Sequence, residues 1–312
     1  MLKKGAFEIS FSWLFALIVG AVILFFAIYA ASNIIKVGQQ ATTLQASEDI
    51  GILLNPLETG FESASSNFFT TPVETRIYNR CDDNKFDAFG TQGISIQQIS
   101  FNKWTDTNQG VTFDNKYILS NYSVEGKKFY VFSKPFEFPF KVTDLIYMTS
   151  SNDLYCFIDA PEDIKKELDF LGQENLITNC TSEEKQNSIK VCFNGGNCNV
   201  NVDINSNFLR KGNDLIYFKG DALMFGAIFS DKDVYECQVK RLMKRVDSLT
   251  SLYKDKAALI RSRECNSNVD NELVALQNAA RTFEDSKNLN YISSIAENIG
   301  DKNDANKQCP LW

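Results

Sequence analysis

The sequence predicts an α+β protein: an N-terminal transmembrane helix, a disulfide-braced mixed α/β domain and a C-terminal antiparallel helical hairpin. Three observations carry that expectation. Positions 9–35 hold no charged residue, eight cysteines are spread over 81–309, and the apolar period turns helical near position 230. The expected boundaries are 1–8 for a cytoplasmic head, 9–35 for the membrane helix and 36–75 for a juxtamembrane helix and linker. Residues 76–229 then form the extracytoplasmic α/β domain and 230–312 the helical hairpin region.

The apolar span 9–35 exceeds the hydrocarbon thickness of about 30 Å at about 1.5 Å per residue, so one tilted helix crosses a bilayer. It is also longer than the roughly 7–15 apolar residues of a cleaved secretory signal. Lys3 and Lys4 precede it, whereas Glu48, Asp49, Glu58, Glu62 and Glu74 dominate the stretch beyond. The positive-inside tendency therefore places the N-terminus in the cytoplasm and the bulk of the chain outside.

Beyond Asn55-Pro56, which favours a helix break, Gly60, Pro72 and several serines read as a linker. In 127–142, Phe136, Phe138 and Phe140 recur at period two, which suits core burial better than an aromatic docking face for peptide or glycan. Residues 154–158 read as a buried strand. Pro161, Glu162 and Asp163 start a helix with the stripe Ile164, Leu168 and Leu171, which Gly172 stops. Residues 175–178 return as a parallel strand, which makes a βαβ-like unit. No glycine-rich phosphate loop follows its first strand, and Asp159 is expected to cap the helix rather than act as a catalytic acid.

Residues 188–204 read as an antiparallel hairpin turning at Asn194-Gly195-Gly196, with Asn199, Asn201, Asp203 and Asn205 on one solvated face. From Ser230-Asp-Lys-Asp233, read as a capping box, a long helix carries the seam Tyr235, Val239, Leu242, Val246, Leu249, Tyr253 and Ile260. Val269, Leu273, Leu276, Ala280 and Phe283 repeat those steps, and a short helix with Leu289, Ile292, Ile295 and Ile299 follows. Lys240, Arg241, Lys244 and Arg245 form a basic cluster that reads as a solvated helix face, able to meet anionic lipid or an acidic partner.

The cysteines lack paired CxxC spacing and fit disulfides in an oxidising space better than zinc. Cys237 and Cys265 lie roughly 40 Å apart along one helix and cannot pair. The layout predicts Cys156 with Cys180, Cys192 with Cys198, Cys237 with Cys309 and Cys81 with Cys265. Asn121-Tyr-Ser123 and Asn179-Cys-Thr181 are candidate glycosylation triplets in the outer part.

The Lys3-Lys4-Gly5 head followed by a long apolar helix resembles the class III signal of archaeal pilins and archaellins. The resemblance covers about the first 35 residues. It implies cleavage between Gly5 and Ala6 and packing of the retained helix into a filament core. Ser10 stands where bacterial-type pilins carry glutamate, and Glu8 is third after the implied cut. The segment also resembles the starts of single-pass proteins of small-genome archaea.

Function classes narrow by exclusion. The chain has 312 residues, a net charge of −7 and no histidine. That removes His-dependent nucleophile systems and HExxH zinc sites, and an acidic chain without Lys/Arg-rich runs does not suit nucleic acid. No residue set calls for a cofactor or a metal. The sequence therefore points to a membrane-anchored cell-envelope protein whose partners are the bilayer and a protein partner or copies of itself. The alternatives are a pilin-like filament or secretion-machine subunit, a carboxylate-dependent extracytoplasmic hydrolase and a membrane-tethered chaperone or transport accessory.

Overall fold

The computed structural model describes residues 13–30, 66–84, 89–100, 103–105 and 110–312. The expected cytoplasmic head, the Gly5/Ala6 junction, the juxtamembrane helix and most of the linker lie outside the described residues. Helix α1 (Trp13–Ala30) is long and apolar enough to cross a membrane, and none of it is buried against the rest of the protein. Trp13, Phe15, Ile23, Phe25 and Phe26 are each more than 60% exposed, so none of the described residues covers this apolar surface.

A seven-stranded sheet follows, built from β1 (Ser66–Asp82), β2 (Thr91–Ser100), β3 (Lys103–Trp104), β4 (Gly110–Phe113), β5 (Ile118–Leu119), β6 (Ser123–Glu137) and β7 (Lys141–Ser150). Its order is β3-β2-β1-β6-β7-β5, with β4 on β2. The stretch 66–75, expected as linker, is strand. Phe69 pairs with Phe129 across β6 and their rings stack at 5.1 Å, an anchor that outweighs the turn-forming Pro72.

This sheet is strongly curled. Straight, the 15 residues of β6 would span about 50 Å, yet Tyr147 pairs with both Phe132 on β6 and Leu119, four residues before β6 begins. The strand has to bend back on itself. Ile77, Ile94, Val124, Phe129, Val131 and Met148 fill the concavity. The opposite face offers Phe132, Leu145 and Tyr147 to the main core, and Phe136, Phe138 and Phe140 are at most 5% exposed in that same core.

The second sheet contains β8 (Tyr155–Ile158), β9 (Leu176–Ile177), β10 (Ile189–Cys192), β11 (Val200–Asp203), β12 (Phe208–Lys211) and β13 (Asp214–Tyr217), ordered β13-β12-β11-β10-β8-β9. β8 and β9 are parallel, joined through α2 (Glu162–Leu171), whose Ile164, Leu168 and Leu171 are buried and whose Gly172 C-cap sits at φ 61°. Asp159 does not cap α2. The N-cap is Pro161, and Asp159 is exposed at φ 54°, where it turns the chain out of β8. The capping box that does form is Thr181 with Glu184, at the start of α3 (Ser182–Gln186).

The expected hairpin at Asn194-Gly195-Gly196 is replaced by a parallel pairing, with Val191 opposite Val200 and Cys192 opposite Asn201. Parallel strands ordinarily need a crossover of a dozen or more residues. Here the ladder is only two pairs long, so a seven-residue loop suffices to bring the chain back. β11 instead makes its antiparallel partnership with β12.

The helices α4 (Gly220–Phe229), α5 (Lys232–Arg261), α6 (Asp270–Arg281) and α7 (Leu289–Ala305) complete the α+β fold. The N-cap of α5 is Asp231 without a side-chain cap bond, because its Oδ2 accepts the Tyr122 N–H at 2.7 Å. Tyr235, Val239, Leu242 and Val246 are buried in one continuous core with residues of both sheets, so no break in the core falls at residue 230.

All eight cysteines are paired: Cys81 with Cys237, Cys156 with Cys180, Cys192 with Cys198, and Cys265 with Cys309. Two pairings therefore differ from expectation. The two helices of the hairpin are followed by the third, and its course decides the pairing. α6 folds back along α5 and α7 turns again, so the C-terminus returns to the far end of α5, where Asn306 Nδ2 donates to Asn266 O at 2.8 Å. Cys309 therefore meets Cys265, and Cys237, in the first turns of α5, meets β1.

Candidate functional site

The basic cluster is clamped at Arg241, whereas Lys240, Lys244 and Arg245 remain half-exposed. Arg241 is fully buried and donates to the carbonyls of Phe89, Gly90, Asp114 and Lys116, with Tyr117 beneath its guanidinium at 4.6 Å. Lys244 donates to Asp83 O and Arg245 to Val142 O at 2.9 Å, while Lys240 pairs with Asp83 at 3.7 Å. Arg241, Lys244 and Arg245 are thus held by backbone carbonyls and Lys240 by a carboxylate. Burial lowers the Arg241 pKa.

Lys211 is a half-buried cation. Its ammonium donates to Ser230 O at 2.6 Å, the C-cap of α4, so it answers the negative end of that helix. Burial nonetheless brings its pKa down to about 8. A depressed pKa means the unfolded chain holds the extra proton between about 8 and 10.5, so stability rises with pH across that window. Lys211→Met is expected to flatten the rise, worth up to about 3 kcal/mol, in urea unfolding at pH 7.5, 8.5 and 9.5 compared with the parent. Parallel pH profiles for the two proteins would refute it.

Two clefts open at the carboxyl ends of the parallel strands, the place where α/β sheets commonly receive ligands. The first, about 340 Å³, lies beside Asp159, Lys165, Thr178, Asn179 and Lys185. Two of its polar groups are engaged: Thr178 Oγ1 donates to Asp169 at 2.8 Å and Lys165 pairs with Glu162 at 2.8 Å. The second, about 500 Å³, is walled by the Asn194-Gly195-Gly196 loop and floored by β11 and β12. Register puts Asn201 opposite Arg210 and Asp203 opposite Phe208, so these four side chains share the outer face, while Val202 and Leu209 point into the core.

In the second cleft, Arg210 stands over the Phe208 ring at 5.6 Å, and the Asp203 carboxylate accepts the Ser206 N–H at 2.9 Å. Asn201 Nδ2 donates to Cys198 O at 3.2 Å, and its buried Oδ1 has no partner. Gly195 and Gly196 sit at φ 77° and 128°, conformations that exclude ordinary side chains, and the Cys192–Cys198 bridge ties the loop to the sheet. The alternating Asn199–Asn205 pattern exposed this polar face in the sequence, but Phe208 and Arg210 arrive from the next strand and carried no comparable local signal.

The two candidate glycosylation asparagines differ in exposure. Asn179 is exposed at the rim of the first cleft, and Asn121 is half-buried beside Lys211. Among the described residues no cluster of three or more cysteine, aspartate or glutamate side chains is arranged to hold a metal ion. No family model, no curated protein and no solved structure matches the chain.

Proposed function

We propose that this protein is a single-pass membrane-anchored cell-envelope protein whose disulfide-braced body works outside the membrane by binding or assembly. The observation that carries the reading is α1, an uncharged helix of 18 residues that none of the described residues covers, joined to a body with four disulfides. Apolar surface of that extent is favourable in lipid, and four bridges persist in an oxidising compartment. Lys3 and Lys4 before the helix orient the N-terminus inward.

The test is alkaline extraction of membranes combined with external proteolysis of intact cells. The chain is expected to stay with the membrane at high pH and to lose its body to the external protease. Release by alkali, or protection of the body in intact cells, would overturn the reading. The mature N-terminus separates the pilin-like alternative: a start at Ala6 with recovery in filaments favours it, and an intact Lys3-Lys4 on a membrane-integral monomer excludes it.

A further inference from the structure

We infer that the cleft walled by Asn194-Gly195-Gly196 is a saccharide-binding subsite. This deepens the binding reading above by naming a ligand class.

Sugar recognition asks for two things at once. An aromatic face takes the C–H side of a pyranose ring, because the ring's negative π-face attracts those polarised hydrogens. Planar polar side chains at its edge then engage neighbouring hydroxyls as donors and acceptors. The cleft supplies both. Phe208 is half-exposed on its floor, with Asn201, Asp203 and Arg210 placed around it by the β11–β12 register and Asn194 on the opposite wall. The Asn201 amide is fixed at the cleft by its Nδ2–H donating to Cys198 O at 3.2 Å.

Other ligand classes fit less well. A metal ion would find one carboxylate, Asp203, beside the cationic Arg210. An anion would meet Asp203 next to the only cation of the lining. A peptide adding by strand pairing needs a free edge, and β11 is paired on both sides. The volume of about 500 Å³ is in the usual range for a small-ligand pocket. The Cys192–Cys198 bridge fixes the wall beforehand, so little ordering is left for binding to supply.

The experiment uses the full chain in lipid nanodiscs, free of sugar-based detergent, with maltose and N,N′-diacetylchitobiose as probes and saturation-transfer NMR as the readout. At least one disaccharide is expected to bind with a Kd on the order of 1 mM or tighter. Phe208→Ala should weaken it about tenfold, and Asn194→Ala, which lies in the loop outside every strand, about threefold. Phe170→Ala removes a more accessible ring on α2, 73% exposed, and should leave the Kd unchanged. No transfer to either probe, or a Kd that neither Phe208→Ala nor Asn194→Ala alters, would overturn the proposal. Should Phe208→Ala fail to fold, Asn194→Ala decides. The assay is indifferent to membrane sidedness, so its failure leaves the anchored reading standing, and release by alkali leaves this one standing.

Discussion

Arg241→Met is expected to destabilise the protein by about 3–5 kcal/mol, measured by urea unfolding. The guanidinium is fully buried, and all three of its nitrogens donate: Nε to Phe89 O at 3.0 Å, Nη1 to Lys116 O at 2.9 Å and Gln238 Oε1 at 2.8 Å, and Nη2 to Asp114 O at 2.9 Å and Gly90 O at 3.4 Å. Methionine fills much of the volume but leaves four carbonyls and an amide oxygen without their donor, each in a place water reaches poorly. Arg241→Lys keeps the charge and should recover little, because a single ammonium cannot span acceptors that only a planar fork reaches together. The amides beside it extend the clamp: Gln238 donates to Gln92 and to Ile118 O at 3.1 Å, and Asn79 donates to Ile118 O at 3.0 Å. These contacts join α5 to β1, β2 and β5 at once. A loss below about 1 kcal/mol for Arg241→Met would mean that the carbonyls find other donors, and the clamp would then be incidental.

What the sequence made legible was local. The stripe Ile164, Leu168 and Leu171, the stop at Gly172 and the return strand could be read because each is set by neighbours a few residues away. The pairing of Cys156 with Cys180 followed from that unit. Cys192 pairs with Cys198 without the expected hairpin, because a separation of six residues keeps the two sulfurs close whichever way the arms run. The sense of a two-pair ladder is decided by the sheet it joins, and no alternation within 188–204 encodes that. The burial of Arg241 is hidden for a related reason: charge on a helix normally marks the wet side. A signal was nevertheless present. Gln238, Arg241 and Arg245 recur at helical spacing beside Cys237, on a flank that a disulfide obliges to face another part of the chain. Of the candidate cleft, the polar face of β11 was visible, whereas the aromatic floor depends on the β11–β12 register.

Removing the Cys81–Cys237 bridge as a paired serine variant is expected to be the most destabilising of the four bridge deletions, at about 5 kcal/mol. Its partners are 156 residues apart, against 44 for Cys265–Cys309, 24 for Cys156–Cys180 and 6 for Cys192–Cys198. Chain-entropy arguments give about 4, about 3 and about 2 kcal/mol for the shorter loops, in that order. Urea unfolding of the four paired variants tests the ranking. A Cys81–Cys237 loss no larger than that of Cys192–Cys198 would show that the denatured chain is not what the long bridge restrains. The shortest bridge contributes least to stability on this reasoning, yet it fixes the Gly195–Gly196 wall of the cleft. Its deletion should therefore weaken disaccharide binding while leaving most of the unfolding free energy intact. The longest bridge should do the reverse under conditions where the body stays folded, because Cys81 and Cys237 lie at the clamp between α5 and β1 and line neither strand-end cleft. Crossing the two measurements separates the bridge that holds the fold from the bridge that shapes a site.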